Sequence, residues 1–149
     1  MRIVFLFTLL FLSKLIFANP ILIGDWDGYI VQNYAQPNNA TYLPCTINIS
    51  SATDNKLAGT IEIRFTHQNG KTYTSKSNVS GSYDNKTYSI NIVAESYIYQ
   101  DILPEKLKWC LGIFKGGIYR SKSLKQYLFK GMYQTKCSTD ASLLIVYKK

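Results

Sequence analysis

The chain has 149 residues, enough for one compact domain and too few for two. Its 17 basic residues against 9 acidic ones leave a formal charge of +8, and 46% of the residues are apolar. A single histidine excludes a His–His metal site, and the few carboxylates show no catalytic spacing, so composition points away from an enzyme and calls for no metal or cofactor.

Residues 1–18 read as a secretory leader. Arg2 supplies a short positive region, Ile3 to Leu12 an apolar stretch, and Ile16-Phe17-Ala18 a small residue at the cut. The apolar stretch is shorter than a membrane span, and Lys14 interrupts it. The expectation is an exported mature domain over 19–149, secreted or periplasmic, with no stable membrane span.

From there the chain reads as strand after strand. Leu43, Cys45, Ile47 and Ile49 alternate with Pro44, Thr46, Asn48 and Ser50; Ile61, Ile63 and Phe65 alternate with Glu62 and Arg64. Tyr88, Ile90, Ile92 and Ala94 form a third inward set. Such period-two patterning belongs to half-buried antiparallel strands. Turn residues separate the runs, among them Asp54-Asn55, Asn69-Gly70 and Asp84-Asn85. Strands are predicted near 24–34, 41–51, 57–67, 71–81, 86–95, 107–119, 125–135 and 142–148. The fold class is therefore all-β: an antiparallel meander of about eight strands, closed into a small barrel or a flattened sandwich. Between the fifth and sixth strands, Tyr97 to Pro104 is unusually apolar for a loop. It is either a protein-binding loop or a lid over one barrel end.

The three cysteines allow one disulfide and a spare thiol. A hairpin centred near Ser123 pairs residues whose numbers sum to about 247, which sets Cys110 opposite Cys137. Cys45 falls on an inward face as a free thiol. To act as a nucleophile it needs an activating base, and His67 is the one histidine. Asp25 and Asp27 flank Trp26 on the outer side of the first strand. They can share a proton or a Ca²⁺ ion, but no further acidic ligand is near, so solvated surface is the favoured reading. Four N-glycosylation sequons begin at Asn39, Asn48, Asn78 and Asn85.

Gly24-Asp25-Trp26-Asp27-Gly28-Tyr29 resembles the first-strand G-x-W of the lipocalins and the wider calycin group, in which the tryptophan plugs the closed end of the barrel. Trp109-Cys110-Leu111-Gly112 and Phe129-Lys130-Gly131-Met132-Tyr133 add to the likeness. The mid-chain Thr-Asp-Tyr of lipocalins is absent, and Arg120, beside a turn, is the one late arginine for stacking on Trp26. The resemblance implies an architecture, not a ligand.

Eight strands suffice either to fill a barrel or to hold one small ligand. The leading expectation is a secreted, non-enzymatic protein that binds a small molecule in its lumen. Trp26, Tyr88 and Trp109 are candidate lining residues, with Tyr97 and Tyr99 near the opening. The alternative is a protein-binding module, an extracellular enzyme inhibitor or an adhesin, acting through the Tyr97–Pro104 loop or a basic face. Residues 19–104 carry five basic and seven acidic side chains, whereas 105–149 carry ten and two. The basic C-terminal part suits an anionic surface, and export argues against nucleic acid.

Overall fold

A computed structural model describes residues 19–104 and 107–149; the leader expected over 1–18 lies outside the described residues. Eight strands follow one another: β1 (Gly24–Gln32), β2 (Thr41–Thr53), β3 (Lys56–Thr66), β4 (Thr72–Asp84), β5 (Ser89–Gln100), β6 (Gly112–Arg120), β7 (Tyr127–Thr135) and β8 (Ala141–Lys148). Each pairs antiparallel with its neighbours in sequence, and β1 pairs with β8 from Trp26–Lys148 to Val31–Leu143, closing the barrel. The expected meander is therefore the fold. Apart from a short 3-10 turn at Pro37–Asn39 there is no helix among the described residues, and none long and apolar enough to cross a membrane.

Local chemistry explains most boundaries. Asp54 and Asn55 both adopt positive φ (51° and 62°), the conformation a two-residue hairpin needs to match strand twist. Strand β5 departs from expectation at both ends. Thr87 and Tyr88 remain in the turn, and Tyr88 has φ of 56°, so its side chain leaves the inward row and is 63% exposed. The inward reading of Tyr88 is thus corrected, because the left-handed residue breaks the alternation that Ile90, Ile92 and Ala94 keep. At its other end β5 runs on to Gln100, held against β4 through two irregularities that leave Glu95 and Ile98 without ladder partners. Tyr97, Ile98 and Tyr99 are consequently strand residues, not loop. Strand β6 begins at Gly112, five residues later than expected, because the chain up to Leu111 crosses the barrel end.

The two ends of the barrel differ. One end is solid. Trp26 is fully buried and stacks on Phe129 with ring centroids 3.6 Å apart, amid Leu22, Ile47, Ile49 and Val146. Its indole N–H donates to the Leu22 carbonyl at 2.9 Å, which satisfies the polar edge of a buried ring. Residues 19–23 run across this end, and Asn19 bonds to the Ala52 carbonyl. Lys148 completes the closure: its Nζ lies 5.3 Å from the Trp26 ring and donates to the carbonyls of Ile21 and Ile23. Gly28, the second glycine of the G-x-W-x-G run, has no room for a side chain. A Cβ there would lie 2.0 Å from the Ile145 carbonyl oxygen.

Candidate functional site

At the opposite end the inward side chains stand apart. Ile30 of β1, Leu43 of β2, Ile63 and Phe65 of β3 and Tyr133 of β7 line a half-open cavity of about 360 Å³. That is large enough for a small organic molecule. Residues 101–104 and 107–111 form its roof, contributing Leu103, Leu107 and Trp109. A second recess of about 380 Å³ lies against the same three residues and adds Tyr97 and Asp101.

The roof is anchored at three points. Asp101 exchanges backbone bonds with β4: its N–H donates to the Thr74 carbonyl at 2.9 Å, and its Oδ2 accepts from the Thr74 N–H at 2.8 Å. Its second oxygen accepts a hydrogen bond from the Tyr99 hydroxyl, and these bonds hold the carboxyl below its usual pKa. The Trp109 indole then donates to the Asp101 carbonyl at 2.8 Å, folding the segment back over the opening. Finally, Cys110 is disulfide-bonded to Cys137, with Cα atoms 5.9 Å apart, and both cysteines line the cavity. The β6–β7 register runs Gly112–Thr135 to Arg120–Tyr127, the constant sum that the hairpin arithmetic requires.

Gln32, Thr135, Ser138 and Ser142 supply the uncharged polar groups of the cavity lining. Ser75 and Ser77 of β4 face inward and are buried, and Ser77 pairs with Tyr97 across the ladder. The Tyr97 hydroxyl is buried without a hydrogen-bond partner among the described residues. Tyr133 points across the lumen over Gly112, where a Cβ would meet its ring at 2.3 Å. Burial raises the Tyr133 hydroxyl well above its ordinary pKa, and Cys45 and Tyr97 add to the shift. It therefore remains protonated, and a donor, at neutral pH. The one charged residue lining the main cavity is Lys108.

The structure separates the residues proposed from sequence. Trp109 lines both recesses, and Tyr97 faces the second. Trp26 belongs to the solid end. Tyr88 is exposed on the turn before β5, and Tyr99 points outward with its hydroxyl on Asp101. The inward rows Ile30, Leu43 and Ile63, and with them Tyr133, were missed as lining residues. Alternation marks them as interior but does not say which end of the barrel they occupy.

Cys45 is buried and free. Burial, together with the negative charge of Asp27, pushes its thiol up to about 12. It pairs with Ile63, so His67, just past the end of β3, lies four residues further along the chain, roughly 13 Å away at strand spacing. Asp25 and Asp27 take separate partners: Asp25 accepts from Asn48 at 2.7 Å, and Asp27 meets Lys149 at 2.5 Å. No group of three or more potential metal ligands occurs among the described residues. Compared with known proteins, the chain matches no family model and no curated protein.

Proposed function

We propose that the protein is an exported, non-enzymatic binding barrel that takes a small, mainly apolar molecule into the hollow half of its lumen. The observation that carries this reading is the contrast between the two ends: one packed around Trp26, the other opened around Ile30, Leu43, Ile63 and Trp109. The disulfide supports an oxidising compartment. The walls suit an apolar body, the Tyr133 hydroxyl suits one polar group on it, and the unpartnered Tyr97 hydroxyl belongs to the second recess. We further read the architecture as lipocalin-like, since Lys148 stands over Trp26 where that family places a late arginine.

Titration with an environment-sensitive apolar fluorophore tests the proposal. Saturable micromolar binding is expected, and Ile63→Trp, which fills the cavity, is expected to weaken it at least tenfold while the barrel stays folded. Unchanged binding in the filled variant contradicts the proposal.

A protein-binding role for the same end has its own support, because Ile98, Tyr99 and the 92%-exposed Ile102 stand out around the opening. Tyr97→Ser with Tyr99→Ser separates the readings. Loss of stability with partner capture unchanged favours the roof, and loss of capture with stability unchanged favours a docking loop.

A further inference from the structure

The outside of the barrel changes character around its circumference. On β2, β3 and β4 the outward rows are polar: Thr46–Glu62–Lys76 is one, Asn48–Thr60–Asn78 the next. On β6, β7 and β8 they are mainly apolar, interrupted by cations and, at the end near Ala141, by Gln134. Lys115 pairs with Met132, which pairs with Leu143; Lys130 pairs with Ile145. Leu128 sits between Tyr119 and Tyr147 in the third row. The Tyr119 ring folds along its strand over Gly117, which leaves a broad, low surface. Beyond it, the β6–β7 turn exposes Leu124 between Lys122 and Lys125.

No acid lies on these three strands or on that turn; the single acidic residue from 107 to 149 is Asp140. The lysines are not gathered at one point. From Lys115 to the turn they span roughly 20 Å at strand spacing, well beyond the Debye length of about 8 Å at physiological salt. An extended row of cations among exposed apolar side chains matches an extended anionic plane better than one localised acidic patch. Self-pairing through this face is disfavoured, since a two-fold contact would bring lysines onto lysines with no carboxylate between them.

We infer that the β6–β8 face is a peripheral docking surface for an anionic lipid bilayer. Lys115, Lys130, Lys122 and Lys125 supply the attraction, and Met132, Tyr119 and Leu124 enter the interface. The site is separate from the lumen, so each reading survives the failure of the other.

Co-sedimentation of the oxidised protein with vesicles tests the inference. Binding is expected to vesicles of phosphatidylcholine mixed with phosphatidylglycerol, not to phosphatidylcholine alone, and to fall with added salt. Lys115→Ser with Lys130→Ser is expected to weaken it about thirtyfold, and Met132→Ser by several-fold. Both changes are at exposed positions, and thermal unfolding of each variant verifies that the barrel is intact. Three results overturn the inference: no preference for anionic vesicles, binding that ignores Met132→Ser and is matched by a soluble polyanion such as heparin, or self-association of the protein that Met132→Ser abolishes.

Discussion

Lys148 does several things with one ammonium group. It covers the face of Trp26, and it donates to backbone carbonyls of the segment that runs across the closed end. Desolvation lowers its pKa, but its bonds to Ile21 and Ile23 remain those of a charged donor. Lys148→Met retains apolar contact with the indole and strands the carbonyls. It is expected to cost about 1–3 kcal/mol in denaturant unfolding, with lumen binding unchanged. Cys45 and Tyr133 set a different expectation, in alkaline solution. Both groups hold their protons in the folded barrel beyond the pH at which they release them when unfolded. Their contribution to stability is complete below the unfolded thiol pKa of about 8.5 and is lost as pH rises toward the folded values. The urea midpoint is expected to fall between about pH 8.5 and pH 11, with a shallower fall in Cys45→Ala. Identical profiles for the two proteins contradict the assignment.

Among elements, the roof over the open end matters most. Its disulfide closes a loop with a sequence separation of 27 residues. Chain entropy alone gives it about 3.5 kcal/mol. Cys110→Ser with Cys137→Ser is expected to lower stability by that order, and to speed release of a bound probe, because Trp109 and Leu107 lose their tether to the segment that follows β7. Equal release rates show that the Asp101 bonds alone hold the roof. The strands themselves were legible in sequence wherever alternation ran unbroken, as in Leu43–Ile49 and Ile61–Phe65. The cysteine pairing was legible because one hairpin register fixes it. The second half of β5 was not. Glu95 and Ile98 are extra residues at irregularities, and each resets the period, so Tyr97 to Gln100 look like loop until β4 is seen beside them. Tyr88 misled for a related reason: its positive φ turns an apparent core position outward.

At the scale of the whole molecule, charge and closure were readable and the cavity was not. The excess of lysine after residue 104 is plain in the sequence, but only the register shows those lysines sharing an outer wall with Met132 and Ile145. Likewise, alternation supplies enough inward apolar residues to fill a barrel. The structure gathers the bulk of Trp26 and Phe129 at one end and leaves Ile30, Leu43 and Ile63 facing an opening at the other. Half the lumen is core, and the other half is the recess proposed as the binding site. Methyl-resolved NMR during titration with the apolar fluorophore tests that division most directly. The expected result is shift changes at Ile30, Leu43 and Ile63 with Ile47, Ile49 and Val146 unmoved. Changes confined to Met132 and Ile145 on the outer wall, or spread evenly through the closed end, contradict it.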